Sequence, residues 1–235
     1  MIKLFSNASP NGIKVIIMLE ELEVPFEHVW IDQYRDQQFS PAYVAVNPNS
    51  KVPALVDEEA DDLTVFESGA ILLYLAEKYD RFFPRREPDR STAYSWLMLQ
   101  MSGIGPVLGH YNHFASPDYS TEIVPYAQQR FGNEARRLLV VLDRRLGEVP
   151  FFVGAEYSIV DMAMYPWMWL LEFIGLSDDH LPHLRAWRDR VAERPAVARA
   201  HEKWGQAMIR SRAAKDAASP EQLDRYFGRT VRQPA

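Results

Sequence analysis

The sequence predicts an α/β domain followed by an all-α domain, and three observations carry that prediction. Short apolar strands alternate with helical patterns up to about residue 80. The stretch Tyr79-Asp80-Arg81-Phe82-Phe83-Pro84-Arg85-Arg86-Glu87-Pro88-Asp89 then changes the composition to charge and proline, as a linker does. Beyond it, apolar residues recur at spacings of three and four, the helical period, and no strand pattern persists. The expected boundaries are therefore 1–80 and 89–209, with a tail over 210–235.

Ile2-Lys3-Leu4-Phe5 alternates into a first strand, which Ser6-Asn7-Ala8-Ser9-Pro10-Asn11-Gly12 breaks. Ser9 is a favoured N-cap, and Pro10 suits the first helical position, where no backbone N–H is needed. The wide apolar face of Ile13, Ile16, Ile17 and Leu19 marks a helix buried against a sheet, with Lys14, Glu20, Glu21 and Glu23 expected in solvent. A second strand follows over 26–31, then a polar loop and short helix containing Gln37-Gln38-Phe39. Strands three and four are expected over 52–56 and 63–66, with Pro53, which cannot donate a ladder hydrogen bond, at the start of the third. Ser68 then reads as the cap of the apolar run Ala70-Ile71-Leu72-Leu73-Tyr74-Leu75, and the free N–H groups of such a helix start make an anion site. The order is β-α-β-α-β-β-α, a thioredoxin-like plan.

In the helical part, a long helix starts at Asp89 and must kink or break at Gly103-Ile104-Gly105-Pro106. A second runs over 123–147, with Arg144 and Arg145 near its negative pole. Ser158-Ile159-Val160-Asp161 is a capping box with aspartate in the usual glutamate position, and it opens a buried helix carrying Trp167 and Trp169. Ser158 and Asp161 are assigned a structural role. After Arg210 the chain turns polar, alanine-rich and basic, and reads either as a mobile tail or as a segment folding back over its own or a partner subunit.

Composition narrows the functions. With 235 residues, 47% of them hydrophobic, the chain can bury a sizeable core. A formal charge of −6 disfavours nucleic acid as a partner. No apolar run approaches the roughly 18 residues of a membrane span, and no leader of secretory type opens the chain, so cytoplasmic residence is expected. The absence of cysteine excludes a disulfide framework, a thiolate metal site and a protein-borne cysteine nucleophile. His110 and His113 stand three apart on a helix without an accompanying carboxylate or cysteine pattern, so no metal is expected; they line the cleft between the domains or make core hydrogen bonds. Gly103-Ile104-Gly105 follows no strand and is not a phosphate loop.

Val52-Pro53-Ala54-Leu55 and Glu67-Ser68-Gly69 together resemble the glutathione-binding half of the glutathione transferases, and the resemblance covers nearly the whole chain, including Ser158 and Asp161, where that family carries its folding motif. It implies the glutathione transferase architecture, a cis Pro53, a backbone pairing of Val52 with the cysteinyl unit of glutathione, and a γ-glutamyl site at Glu67 and Ser68. Gln38 and Lys51 are implied as further holders of that molecule. Arg130 is implied to reach a second glutathione or the glycine carboxylate of the first. A homodimer is implied as well, with Gln100 completing the partner's γ-glutamyl pocket.

Ser9-Pro10-Asn11-Gly12, Gln37-Gln38-Phe39, Asn47-Pro48-Asn49, the run from Phe66 to Glu77 and Gly105-Pro106 look most like the bacterial nu class. That class uses a threonine and an asparagine near the sulfur and reduces disulfides with glutathione. Ser9 keeps the hydroxyl but lacks the methyl that would hold its rotamer. Asn11 is the favoured donor, because an amide donates to sulfur without losing a proton. Any such site must lower the thiol pKa from about 8.5, at about 1.4 kcal/mol of preferential stabilisation per unit. Disulfide reduction without a protein cysteine is coherent when the ligand brings both sulfurs. The expected activity is thus a glutathione-dependent thiol:disulfide oxidoreductase holding two glutathiones or one oxidised glutathione, with no metal. The alternatives are conjugation of glutathione to electrophiles and a non-catalytic binding module.

Overall fold

The computed structural model describes residues 1–116 and 124–230. The expected start of the second long helix at Ile123 lies outside the described residues, as do residues 231–235 of the tail. The chain forms two compact units: Met1–Tyr74 joined by the segment from Ala198 onward, and Leu75–Val197.

The first unit is built on strands β1 (Ile2–Ser6), β2 (Phe26–Trp30), β3 (Ala54–Asp57) and β4 (Leu63–Phe66), in the spatial order β2-β1-β3-β4. β1 and β2 run parallel because the helix α1 (Pro10–Leu22) carries the chain back between them. β3 lies antiparallel to β1, and β4 to β3. A short helix α2 (Pro41–Val46) precedes β3, and α3 (Ser68–Tyr79) follows β4, which completes the thioredoxin-like plan. The third strand starts at Ala54 rather than at Val52, since Ala54 is the first residue after Pro53 with an N–H to give to the ladder.

α1 departs from expectation in one respect. Lys14, assigned to solvent by the sequence, is only 1% exposed, and Glu21 is buried as well. The start of α3 packs where the sequence pattern left water, since Lys14 Nζ reaches Ser68 Oγ at 3.5 Å.

The second unit holds α4 (Asp89–Leu99), a π-helical turn at Gln100–Ile104, α5 (Gly105–Ala115), α6 (Pro125–Leu146), α7 (Ile159–Trp169) and α8 (Pro182–Ala192). The interruption expected at Gly103–Pro106 takes the form of that wide turn, with Pro106 in the first turn of α5. Ser158 and Asp161 form the predicted capping box at the start of α7. Asp161 also accepts from Phe152 N at 3.2 Å and from Trp187 Nε1 at 2.9 Å, so one carboxylate ties α7 to α8 and to the preceding loop.

The helix α9 (Pro195–Asp216) returns the chain to the first unit, where Arg199 Nε donates to Glu20 Oε2 at 2.6 Å and Trp204 Nε1 to Ala8 O at 3.0 Å. Of the two readings left open for the segment after Arg210, the described part takes the folded one. α9 continues to Asp216, and α10 (Pro220–Tyr226) sets Arg225 2.8 Å from Asp36 and the Tyr226 ring 4.2 Å from Tyr34. Among the described residues no helix is long and apolar enough to cross a membrane.

Candidate functional site

A cavity of about 200 Å³ opens in the first unit where the start of α1, the approach to β3 and the start of α3 converge. Six of the residues singled out in the sequence stand in its wall: Asn11, Lys51, Val52, Pro53, Glu67 and Ser68.

The α1 corner is rigidly made. Ser9 caps the helix, its Oγ accepting from Gly12 N at 3.2 Å, and its own N–H is held by Asn7 Oδ1 at 3.0 Å. A Cβ on Gly12 would lie 3.0 Å from Asn7 O and 3.2 Å from Ser6 Cβ, so only glycine allows helix and strand to approach this closely. Asn11 follows at the second helical position, and its carboxamide makes no hydrogen bond among the described residues. Ser9 stands outside the cavity wall, with its hydroxyl oxygen engaged as a cap.

The β3 corner rests on two residues the sequence analysis did not assign. Asn47 Nδ2 and Tyr43 Oη both donate to Lys51 O, each at 2.6 Å, while Asn47 Oδ1 accepts from Asn49 N at 2.9 Å. Burial pushes the Tyr43 hydroxyl well up, which keeps it a donor. The signal for Asn47 was present in Asn47-Pro48-Asn49, a turn-forming cluster directly before the strand. The loop thus fixed presents Val52, whose N–H and C=O make no hydrogen bond among the described residues; the Val52–Pro53 peptide is cis.

At the α3 corner the cap falls one residue earlier than expected. Glu67 holds a positive φ of 71° and its carbonyl accepts from Ile71 N at 2.9 Å, so Glu67 is the cap and Ser68 the first helical residue. A left-handed glutamate is not what a sequence pattern favours, which is why Ser68 was read as the cap. Ser68 is 4% exposed and sits above Lys14. Burial lowers the Lys14 ammonium from 10.5 to about 7, against the neighbouring Glu67 carboxylate, which favours the charged form. The sequence carried a sign of this, since every residue from Ile13 to Leu19 other than Lys14 is apolar and no polar face remains.

The other expected residues lie elsewhere. Gln38 is 5% exposed, outside the wall, with Nε2 donating to Gln33 O at 3.3 Å and Oε1 buried without a partner among the described residues. Gln100 and Arg130 belong to the second unit. Arg130 is exposed on α6. Gln100, expected to reach a partner subunit, is instead fully buried in the π-helical turn of its own unit, because the wide turn carries its side chain inward beside Gly105. His110 and His113 also belong to that unit, where their rings pack against Phe131 and Phe114.

Two sequence families match in tandem: the glutathione S-transferase N-terminal domain over residues 8–78 and the glutathione S-transferase C-terminal domain over residues 125–195. The chain belongs to the glutathione S-transferase family. This chain is 39% identical over 208 residues to the disulfide-bond oxidoreductase YfcG of Escherichia coli, covering 85% of this chain and 94% of that one. It is 41% identical over 216 residues to the disulfide-bond oxidoreductase YghU of the same organism, covering 84% and 73%. A solved glutathione transferase from Burkholderia graminis, with two glutathione molecules bound per one protein subunit, matches with a TM-score of 0.79 at 36% identity, covering 85% and 86%. The cavity of this chain sets side by side an open main-chain pair at Val52, an amide donor at Asn11 and the N–H groups of a helix start. At about 200 Å³ it is smaller than the roughly 300–1,000 Å³ that enclose a drug-sized ligand.

Proposed function

We propose that this member of the glutathione S-transferase family is a glutathione-dependent thiol:disulfide oxidoreductase whose reacting sulfurs all come from its ligands. The observation that carries the reading is the open N–H and C=O of Val52 standing in one wall with the unengaged Asn11 carboxamide, in a chain without cysteine. An extended peptide pairs with such a main-chain edge, and its cysteinyl side chain then faces the start of α1. There the Asn11 amide and the helix's positive end favour the thiolate over the thiol. Glu67, Ser68 and Lys51 hold the ends of the peptide by charge and hydrogen bonding, with Gln38 backing the adjoining loop and Ser9 fixing the helix start. The names of the two Escherichia coli relatives and the two glutathiones of the Burkholderia structure support the same reading.

The electrons balance without any protein group being oxidised. A first glutathione thiolate attacks the substrate disulfide, forming a mixed disulfide and releasing one substrate thiolate. A second glutathione thiolate attacks the glutathione sulfur of that mixed disulfide, releasing the other substrate thiolate and forming oxidised glutathione. Two electrons pass from two thiols to one disulfide, and their two protons end on the product thiols. Proximity and electrostatics are the protein's contribution. Arg130 is assigned to the second glutathione or to the first one's glycine carboxylate. The working form is taken to be a cytoplasmic homodimer.

Calorimetric titration with reduced and then oxidised glutathione tests the reading. Two reduced molecules, or one oxidised molecule, per subunit are expected. One reduced molecule with little affinity for the oxidised form would replace the reading with conjugation to an electrophile, and no binding of either would leave a non-catalytic module.

A further inference from the structure

We propose that Trp204 and Asn7 are positioning residues: between them they pin the Ala8–Ser9 peptide, and with it the first turn of α1, which aims the Asn11 amide at the sulfur of a bound glutathione. The inference rests on the reading of the cavity as a glutathione site and adds two residues that stand outside its wall.

The grip is on a single peptide plane. The carbonyl of Ala8 and the N–H of Ser9 belong to the same rigid amide. Trp204 Nε1 donates to Ala8 O at 3.0 Å, and Ser9 N donates to Asn7 Oδ1 at 3.0 Å, so the plane is held at both of its polar ends. Asn7 is itself anchored, its Nδ2 donating to Gln33 Oε1 at 2.6 Å. Turning the plane would change ψ of Ala8 and φ of Ser9 together, and Ser9 is the cap of α1, with φ −77° and ψ 152°. Pro10 follows with its φ locked by the ring, which leaves little slack downstream to absorb a rotation at the cap. Asn11 comes next and takes its direction from that turn.

The indole is suited to this task. It has one N–H and no acceptor, so it fixes a single direction, and being neutral it does so across the working pH range. Whatever else the ring touches, that N–H is spent on the carbonyl leading into the cap. Filling space beside the loop would need only a phenyl ring. α9 also holds the far end of α1, where Arg199 Nη2 donates to Glu20 O at 3.0 Å and Lys203 Nζ lies 3.5 Å from Glu20 Oε1. One helix thus steadies α1 near both ends, and all of these residues belong to the same compact unit. The tolerance at the cap end is small, since a misplacement of about 1 Å near the reacting atoms can cost about 100-fold in rate.

The test compares the full chain with W204F and N7A. Each protein is titrated with S-methylglutathione, whose blocked thiol leaves only the peptide's contacts. The thiol of glutathione, bound with protein in excess, is then titrated by the ultraviolet absorbance of its thiolate. W204F keeps an aromatic ring and loses the donor. It is expected to bind S-methylglutathione within about threefold of wild type, while the pKa of the bound thiol rises by about half a unit or more. A rise of about half a unit leaves about threefold less thiolate at any pH well below the pKa, so kcat for a peptide disulfide should fall about three- to tenfold at neutral pH and recover under alkaline conditions, with KM nearly unchanged. N7A, which frees the other end of the peptide, is expected to shift the thiol in the same direction. An unshifted thiol in W204F would overturn the proposal while leaving the glutathione site standing, even with a lowered melting temperature, because lost stability alone is what a purely structural contact gives. Should W204F fail to fold, N7A decides: a raised thiol pKa supports the proposal and an unshifted one overturns it. A wild-type protein that binds neither ligand would remove the glutathione reading itself, and the role of Trp204 and Asn7 with it.

Discussion

The Trp187 indole donates to Asp161 Oδ1 at 2.9 Å inside the helical unit, where that carboxylate also receives Ser158 N at 2.9 Å, Ser158 Oγ at 3.0 Å and Phe152 N at 3.2 Å. Burial pushes the Asp161 carboxyl up to about 6, against four hydrogen bonds that favour its charged form. Replacing it with alanine strands several buried donors at about 1–3 kcal/mol each. Asp161→Ala is expected to destabilise the chain by about 3–5 kcal/mol, and Ser158→Ala, which removes the cap and one of the four bonds to Asp161, by about 1–2 kcal/mol. Chemical denaturation of both variants checks the order. Equal losses would mean that the cap, not the network, is what matters.

Lys14→Met is expected to stabilise the protein, and by an amount that depends on pH. The folded-state pKa of Lys14, about 7, lies below its unfolded value of 10.5, so between those values the unfolded chain binds the extra proton. The destabilisation caused by Lys14 is therefore full below about pH 7, shrinks as pH rises, and vanishes near 10.5. Melting temperatures of wild type and variant should differ most at neutral pH or below and converge under alkaline conditions. A gap that stays constant with pH would show that the amine is not charged differently in the two states.

Asn11→Ala is expected to lower turnover of a peptide disulfide about 10- to 100-fold, the scale of losing one donor to a developing anion, while the melting temperature stays within about 2 °C. Nothing among the described residues leans on its carboxamide, so the fold has no reason to change. Unchanged turnover would remove Asn11 from the mechanism.

Asn47→Ala acts differently, because Asn47 touches the main chain beside the peptide-pairing residue rather than the sulfur. It breaks the bonds to Lys51 O and from Asn49 N, at a cost of about 1–3 kcal/mol in stability. Affinity for glutathione should fall with the loss of Val52's fixed position, and kcat should change less than KM. A variant in which kcat alone falls would place Asn47 in the chemistry instead.

Removing the chain after Asp216 deletes α10 and with it the Arg225–Asp36 pair and the Tyr34–Tyr226 contact. Those contacts hold the segment that also carries Gln38. The truncated protein is expected to fold, with a stability loss of about 1–2 kcal/mol and weaker glutathione binding. Binding as tight as in the full chain would confine α10 to a surface role.

What could be read in the sequence was local. Ser9-Pro10 and the Ser158–Asp161 box announce helix starts because a cap is satisfied within three or four residues, and both are where the pattern puts them. The succession of strands and helices along the chain followed from alternation and short turns, and Ser68 from the start of a helix, whereas Val52 and Asn11 came from the resemblance to a known family. What escaped depends on distant partners or on backbone choices a side chain does not signal. Lys14 is buried by a serine 54 positions away, and Gln100 is turned inward by a π-helical turn. Glu67 takes the cap by adopting a conformation that glutamate seldom adopts.

The return of α9 and α10 to the first unit also sets an order of events during synthesis. Arg199 meets Glu20 across 179 residues, Arg225 meets Asp36 across 189, and Trp204 meets Ala8 across 196. The strands and α1 leave the ribosome first, but the carbonyl beside Ser9 and the outer side of α1 acquire these partners only when nearly the whole chain has emerged. A nascent chain stalled after α8 would carry every residue of the cavity wall and still lack the long-range partners of Ala8, Glu20 and Asp36, whose closure across nearly the whole chain is the slowest kind of contact to form.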